Sequence, residues 1–194
     1  MNNKILHINA SAQTGTSRSR QLSQHIVDFY NPRYEQTIIE RDLNQSIAFV
    51  DETWVGATFT PVEDRTQEQV DKLNFSTNLV SELKTVQTII IGTPIYNFTI
   101  PAAFKAWIDM ICRVGLTFHY TDSGPEGLLK DKKVIIAIAS GGVPIGSEYD
   151  FASPYLKQIF DFVGISDVTI IDTNAFDLEL NKDSIQAQLA EVLS

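Results

Sequence analysis

The feature that most constrains the fold is a set of short apolar runs separated by segments with helical periodicity. Lys4–Ile8, Thr88–Gly92 and Val134–Ala139 are strand-length runs, and they lack the polar alternation of strands with one face in water. Thr37–Ile39 and Val168–Asp172 complete a set of five predicted strands. Alternation of strand and helix along the chain predicts a parallel sheet with helices on both faces.

Helices are predicted between these strands from apolar periodicity and from signals at the helix ends. They are expected at Ser19–Tyr30, from Thr66 to about Lys84, from Pro101 to about Arg113, at Ser153–Val163 and at Ser184–Leu193. Thr66 and Gln69 have the spacing of a capping box, and Gly164 follows the fourth helix as a stop signal. The stretch 44–60 is weakly patterned and receives no assignment.

These elements indicate an α/β protein with a single domain over residues 1–194, which is an ordinary domain length. Periodicity does not determine strand order, but the flavodoxin-like order 2-1-3-4-5 is the natural expectation for five parallel strands. Ligands of such folds bind at the carboxyl ends of the strands, where strands 1 and 3 are neighbours. The loops after the first, third and fourth strands are therefore the first places to look for a site.

Charge and composition argue against several classes of function. The formal net charge is −9, and an acidic surface repels phosphate backbones and anionic lipid, so nucleic acid and membrane partners are not expected. The sequence contains neither a signal peptide nor an apolar run of membrane-spanning length, which predicts a cytoplasmic protein. The single cysteine, Cys112, is interpreted as a core residue, and three isolated histidines give no metal-ligand spacing.

The loop after the first strand, Asn9–Ser19, is rich in hydroxyl groups and leads into a helix. A helix N-terminus presents free N–H groups to an anion, Ser11, Ser17 and Ser19 can add hydroxyl donors, and Arg18 can add charge. Ser17 could instead act only as the helix cap, but a cap does not require so many hydroxyls. The loop has neither the dinucleotide fingerprint nor the Gly-Lys-Ser/Thr ending of a Walker A loop. It therefore predicts a phosphate site of another kind.

The loops after the third and fourth strands suit a flat ring system. The first contains Pro94, Ile95, Tyr96, Asn97 and Phe98, and the second contains Ala139, Ser140, Gly141 and Gly142. Aromatic side chains can line a ring, an asparagine can both donate and accept at its polar edge, and paired glycines let the backbone approach closely. Each loop alone could be ordinary packing or an ordinary turn. Three suitable loops at one sheet edge together predict a single binding site.

Five segments carry a resemblance that runs through nearly the whole chain. They are Ser11 with Ser17-Arg18-Ser19, Pro94-Ile95-Tyr96-Asn97-Phe98, Gly115–Thr121, Gly124–Leu128 and Ser140-Gly141-Gly142. On these motifs the chain resembles the FMN-dependent NADH-azoreductases, within the wider group of flavodoxin-like NAD(P)H quinone reductases. The Tyr-Asn-Phe segment and the Gly-Pro-Glu-Gly-Leu segment are the most specific of them.

The resemblance implies an enzyme that transfers two electrons from NADH or NADPH to quinones and azo compounds by a ping-pong mechanism. It implies that Ser11, Ser17, Arg18 and Ser19 bind the FMN phosphate, and that the loops 94–98 and 139–142 bind the isoalloxazine ring. It also implies a homodimer with both active sites at the interface. Asn97, Phe118, Tyr120 and Phe162 are then candidates for the substrate pocket, some of them reaching from the second subunit.

Two positions depart from the family pattern. The family often has Ser-Arg where this chain has Ala139-Ser140, so contacts from those two side chains are lost while backbone contacts can persist. Methionine is common where Ile95 stands, and this exchange keeps an apolar wall. The sequence shows no clear preference between NADH and NADPH.

Other functions fit the sequence less well. A flavodoxin-type electron carrier without its own small-molecule substrate suits the fold and the acidity, but the aromatic loop and the segment Phe118–Leu128 argue against it. A serine hydrolase using Ser11 or Ser140 lacks the Gly-x-Ser-x-Gly elbow and a suitably placed histidine. A flavin-binding regulatory module without turnover is a further alternative.

Overall fold

The computed structural model describes residues 4–32, 35–45 and 47–193. Its strands are β1 (Lys4–Asn9), β2 (Thr37–Asp42), β3 (Thr88–Pro94), β4 (Phe118–Thr121), β5 (Gly124–Gly127), β6 (Lys133–Ala139) and β7 (Asp167–Asp172). Five of them form a parallel sheet in the order β2-β1-β3-β6-β7, and β4 pairs with β5 in a separate antiparallel hairpin. The five-stranded order matches the predicted order 2-1-3-4-5 and confirms the flavodoxin-like fold.

Six helices surround the sheet in the part of the chain that the structure describes. They are α1 (Arg18–Tyr30), α2 (Glu52–Phe59), α3 (Gln67–Thr85), α4 (Ala102–Ile111), α5 (Ala152–Phe162) and α6 (Lys182–Leu193). Short 3₁₀ helices occupy Val62–Asp64 and Thr173–Ala175. None of the described helices has the length and apolarity needed to cross a membrane.

The sheet has an apolar layer on each face, which explains why its strands read as continuous apolar runs. Ile90 and Ile135 pack in one layer with Leu22 of α1 and Leu189 of α6. Residues that alternate with them along the same strands pack in the other layer, beneath α3, α4 and α5, with side chains such as Phe104. Both faces of the sheet are therefore covered, as the sequence predicts.

The helix α2 lies in the stretch 44–60 that the sequence leaves unassigned. Asp51 caps it by accepting a hydrogen bond from the Trp54 backbone N–H at 2.8 Å. Trp54 and Ala57 are its buried residues, and α2 packs on α3. Eight residues are too few to show a clear helical period, which is why the pattern did not reveal it. The predicted capping box at the start of α3 is present.

The β4–β5 hairpin rests against the end of α5 through a very close backbone contact. A Cβ atom added at Gly127 would lie 2.0 Å from the backbone nitrogen of Gly164. Gly164 has a φ of +100°, a conformation that favours glycine, and the N–H of Leu129 donates to the Val163 carbonyl at 2.9 Å. We call this contact between Gly127 and Gly164 the glycine seam.

Candidate functional site

A cavity of about 730 Å³ opens at the carboxyl edge of the parallel sheet. This volume is typical of small-molecule sites, which span about 300–1,000 Å³. Its walls come from the loops after β1, β3, β6 and β7, and the lining residues are Ser11, Gln13, Thr16, Ser17, Arg18, Ser19, Pro94, Ile95, Tyr96, Ala139, Ser140, Gly141, Thr173 and Asn174. The three loops singled out by the sequence thus meet in one place. Of the predicted cofactor residues, Asn97, Phe98 and Gly142 lie outside the lining set.

The start of α1 forms one end of the cavity. Ser17 is the N-cap, and its hydroxyl accepts a hydrogen bond from the Arg20 backbone N–H at 3.4 Å. The Ser17 and Ser19 hydroxyl oxygens are 3.1 Å apart, and both side chains are buried. N–H groups in the first turn of a helix have no intrahelical acceptors and carry partial positive charge. This end of the cavity therefore suits an anion such as a phosphate group.

The loop after β1 is held in place by a side-chain network that the sequence did not reveal. Arg20 Nη2 and Asn44 Nδ2 donate to the Ser11 carbonyl at 2.6 and 2.7 Å. Arg20 also binds both carboxylate oxygens of Asp42 at 2.9 Å, and this hydrogen bonding lowers the pKa of Asp42 below its usual value. Ser11 is thereby tied to the end of β2. The partners are far apart in the chain, so no local motif marks them.

Arg18 lines the cavity, but its guanidinium is bonded to the loop after β7. Its Nη2 donates to the Thr173 carbonyl at 2.8 Å and to the Phe176 carbonyl at 2.9 Å. The sequence suggests this side chain as a direct source of positive charge for the phosphate. The structure shows it supporting a further wall of the cavity, formed by Thr173 and Asn174, which the sequence reading missed.

The loop after β3 contains a tight turn with two residues at positive φ. Tyr96 and Thr99 exchange backbone hydrogen bonds at 2.9 and 3.2 Å, while Asn97 has φ +48° and Phe98 has φ +73°. These angles resemble a type I′ turn, in which asparagine is common but phenylalanine is strained by about 1–2 kcal/mol. The Phe151 N–H donates to the Phe98 carbonyl at 3.1 Å and fixes the turn to the start of α5. Tyr96 is thereby held at the cavity.

The loop after β6 leaves space beside the cavity. A Cβ atom added at Gly141 would meet no atom of the described residues within 4 Å. The Ser140 hydroxyl accepts the backbone N–H groups of Val143 and Gly142 at 2.8 and 3.3 Å, so it stabilises its own loop. The Ile95 N–H donates to the Ala139 carbonyl at 2.8 Å and joins this wall to the neighbouring one.

The candidate substrate-pocket aromatics form a separate cluster. Ring centroids of Phe118 and Phe162 are 4.4 Å apart, and those of Phe118 and Tyr120 are 5.6 Å apart. None of the three is among the residues that line the cavity. The N-cap of α5, Phe151, is bonded to the Phe98 carbonyl, and Phe162, the last residue of α5, lies about 15 Å along the helix axis from its first residue. Within one chain, Tyr120 and Phe162 are therefore not brought to the cavity.

The cavity fits the FMN that the resemblance implies. Its α1 end offers first-turn N–H groups beside the Ser17 and Ser19 hydroxyls, which suits a phosphate. Its other walls offer Ile95 and Tyr96 as apolar surface for a flat ring. The open space beside Gly141 allows a ligand to approach the backbone.

Other parts of the molecule offer less for chemistry. A second cavity of about 470 Å³ lies between α2 and α3, away from the strand ends, and is lined by Thr53, Gly56, Ala57, Thr66, Glu68, Gln69 and Lys72. Cys112 is half-buried at the end of α4, and burial together with the charge of Asp109 raises the pKa of its thiol to about 11. It stays protonated and unreactive near neutral pH. The described residues contain no group of three or more His, Cys, Asp or Glu side chains placed to hold a metal ion.

Comparison with known proteins places these features among characterised relatives. A family model described as having a flavodoxin-like fold matches residues 3–194. The FMN-dependent NADH:quinone oxidoreductase 1 of Jannaschia sp. (strain CCS1) is 49% identical over 167 residues, which cover 86% of this chain and 85% of the relative. That of Hahella chejuensis (strain KCTC 2396), also named FMN-dependent NADH:quinone oxidoreductase 1, is 40% identical over 194 residues, covering 98% and 93%.

Solved structures give the same picture. An FMN-dependent NADH-azoreductase from Bacillus anthracis str. Ames Ancestor, in complex with FMN, superimposes with a TM-score of 0.82 at 25% identity, covering 99% of this chain and 100% of that one. An azoreductase from Bacillus anthracis str. Sterne gives a TM-score of 0.81 at 26% identity, covering 98% and 96%. The likeness extends over the whole of both chains.

Proposed function

The chain belongs to the flavodoxin-like family that includes the FMN-dependent NADH:quinone oxidoreductases, and we propose that it passes two electrons from NADH or NADPH to quinones and azo compounds. The family match confirms the resemblance that the sequence motifs indicated. The names of relatives at up to 49% identity support an FMN-dependent enzyme with NADH as donor. The ping-pong order, the homodimer, the cytoplasmic location and the roles of individual residues are proposals.

The observation that carries the proposal is the meeting of three loops in one cavity with two chemically different ends. One end has the first turn of α1 with the buried hydroxyls of Ser17 and Ser19. The other walls contain Ile95 and Tyr96. A phosphorylated ligand with a flat ring matches both ends at once.

Bound FMN would supply the redox chemistry, taking two electrons from the nicotinamide and passing them to the acceptor. The chain would supply binding and orientation. In this proposal Ser11, Ser17 and Ser19 hold the phosphate, and the backbone at Gly141 approaches the ring edge. Because donor and acceptor would use the same open space beside the ring, they would bind in turn, which gives the ping-pong order.

We further propose that two copies of the chain form each active site. Phe118, Tyr120 and Phe162 lie together on one chain but away from its own cavity, and Tyr120 is 69% exposed. A second copy placed against the cavity could bring these aromatic rings to it. Asn97, on the exposed turn after β3, and Tyr120 would then orient the acceptor.

Mixed dimers test this arrangement. One variant carries Ser17→Ala and Ser19→Ala, and the other carries Tyr120→Ala and Phe162→Ala. If each site uses the cavity of one chain and the aromatic rings of its partner, co-expression of the two variants restores one intact site per mixed dimer. Activity that stays at the sum of the two separate variants would show that each chain works alone.

A cytoplasmic location is proposed because the reaction consumes a reduced nicotinamide donor, which cells regenerate there. Fractionation of cells that express the protein at native levels tests it. Recovery with the membrane or secreted fraction would contradict this location.

The decisive experiment for the function is an anaerobic stopped-flow measurement. The FMN-loaded protein is mixed first with NADH and then with benzoquinone, while flavin absorbance is followed. Bleaching by NADH and recovery with the quinone are the expected results. Bound FMN that neither NADH nor NADPH bleaches would favour the electron-carrier alternative, and failure to bind FMN would overturn the proposed function.

A further inference from the structure

The loop after β7 forms a wall of the cavity although β7 is the edge strand of the sheet. It begins at Asp172, whose side chain accepts the Asn174 N–H at 2.8 Å and starts the 3₁₀ helix Thr173–Ala175. Thr173 and Asn174 line the cavity with the three loops already described. Neither residue belongs to the cofactor-binding set that the sequence predicts.

Side chains tie this loop to two other walls of the cavity. Arg18, at the start of α1, donates to the Thr173 and Phe176 carbonyls at 2.8 and 2.9 Å. Asn174 Nδ2 donates to the Ser140 carbonyl at 3.1 Å. The position of Thr173 relative to the proposed phosphate site is therefore fixed by hydrogen bonds.

The Thr173 side chain is buried without a partner. It is 0% exposed, and its hydroxyl has no hydrogen-bond partner among the described residues. A buried hydroxyl left unsatisfied costs about 1–3 kcal/mol. Among the described residues with an unpartnered buried side-chain atom, Thr173 is the one that lines the cavity, so a bound ligand can supply its missing partner. Ser17 and Ser19 are bonded to each other, and the Ser140 hydroxyl stabilises its own loop. Thr173 differs from these hydroxyls in having nothing within the fold to bind.

We propose that the Thr173 hydroxyl donates a hydrogen bond to the oxygen-rich phosphate and ribityl part of FMN, and that Arg18 positions Thr173 for this bond. The proposal rests on the proposed function. The phosphate and ribityl part is the natural partner because Thr173 is bonded through its carbonyl to the first residue of α1, beside Ser17 and Ser19. A hydroxyl donor also matches the oxygen acceptors of that part of the ligand.

The test compares FMN affinity in three variants at Thr173, measured by quenching of FMN fluorescence on titration with apoprotein. Thr173→Val keeps the shape and removes the hydroxyl, and we expect it to weaken FMN binding about tenfold. Thr173→Ser keeps the hydroxyl and should stay within about threefold of the wild type. Thr173→Ala replaces the valine variant if thermal unfolding shows that valine is not tolerated.

Thr169→Val is the matched control, because Thr169 lies on β7, four residues before Thr173, and outside the cavity lining. Its FMN affinity should equal that of the wild type. Riboflavin, which lacks the phosphate, locates the bond: a loss seen only with FMN assigns it to the phosphate, and a loss with both ligands assigns it to the ribityl chain. Folded Thr173→Val and Thr173→Ala proteins with wild-type affinity for FMN would overturn the proposal.

A double-mutant cycle tests the positioning role of Arg18. If Arg18 acts through Thr173, Arg18→Met weakens FMN binding on its own but adds little once Thr173→Val is present. A double variant whose loss of FMN affinity equals the product of the two single losses would show that Arg18 acts on the ligand independently of Thr173. Failure of the wild-type protein to bind FMN would count against the proposed function itself and is thereby distinguished from these results.

Discussion

Glycines at the cavity and at the glycine seam serve opposite purposes. At Gly141 an added Cβ would project into open space beside the cavity, whereas at Gly127 it would lie 2.0 Å from the backbone of Gly164. The first glycine leaves room for a ligand, and the second lets two stretches of backbone touch. Gly127 is the last residue of β5 and Gly141 lies in the loop after β6, and their different surroundings distinguish a glycine beside a cavity from one at a close backbone contact.

The largest effect is expected on the free energy of unfolding, from a substitution at the glycine seam. Gly127→Ala forces the hairpin away from the end of α5, because backbone atoms surround the new methyl group, and should lower the free energy of unfolding by about 3 kcal/mol or more. Urea denaturation measures it. Gly141→Ala is the control, with an unfolding free energy within about 0.5 kcal/mol of the wild type and weaker FMN binding. Equal destabilisation by both substitutions would break the comparison.

The second largest effect is expected on FMN affinity, from substitutions at the cavity. Replacing Ser17 and Ser19 together by alanine removes two hydroxyls from the proposed phosphate site. FMN binding should weaken at least about 100-fold, since hydrogen bonds to charged groups contribute about 1.5–3 kcal/mol each. Loss of the Ser17 cap should also reduce stability by about 1 kcal/mol. Fluorescence titration well below the unfolding temperature measures the loss of FMN affinity separately from the loss of stability. Unchanged affinity would mean that the phosphate site lies elsewhere.

Gly92 sharpens the comparison because it is a close-contact glycine that packs against Ser19, a residue of the cavity lining. A Cβ atom there would lie 2.7 Å from the Ser19 carbonyl oxygen and from the Ser23 hydroxyl, so Gly92→Ala pushes α1 away from β3. We expect a loss of about 2 kcal/mol in stability and weaker FMN binding, because Ser19 moves with the helix. Denaturation and FMN titration of one preparation measure both. A stability loss with intact affinity would show that Gly92 belongs with the seam alone.

The smallest effect on stability concerns a buried carboxylate just before α5. Burial favours a higher pKa for Asp150, but hydrogen bonds from the N–H groups of Gly146, Ser153 and Ala152 outweigh it and lower the pKa below its usual value. The stabilisation is therefore present above the ordinary aspartate pKa, near 3.8, and is lost as the pH falls through the lower folded value.

Asp150→Asn should reduce stability by about 1 kcal/mol at pH 7 and flatten the loss of stability in acid. Urea denaturation between pH 7 and pH 2.5 measures both effects. The backbone contact at the seam does not titrate, so Gly127→Ala should keep the wild-type pH dependence. An Asp150→Asn protein with the wild-type acid profile would contradict the assignment.

Much of the fold could be predicted because the information is local. Ile89–Ile91 and Val134–Ala137 are buried on both faces of the sheet. Continuous apolar runs of this length are typical of the central strands of a parallel sheet. Three of the cavity loops could be predicted from where β1, β3 and β6 end. The helix α2 was missed because it buries little beyond Trp54 and Ala57, which is too weak a pattern to read.

The direction of a side chain could not be predicted in the same way. Arg18 stands beside the proposed phosphate site, and an arginine there can bind either the phosphate or a nearby carbonyl. The carbonyls that it binds belong to Thr173 and Phe176, far along the chain, so the choice depends on tertiary structure. The same separation hid the support of Ser11 by Arg20 and Asn44.

The β4–β5 hairpin has a consequence for how such enzymes can diverge. It pairs with itself and not with the five-stranded sheet, and it is anchored at its base, near Gly127. Substitutions around Tyr120 therefore leave the registers of the main sheet unchanged. If Tyr120 contacts the acceptor as proposed, acceptor preference can change through the hairpin alone, without disturbing the cavity or the sheet.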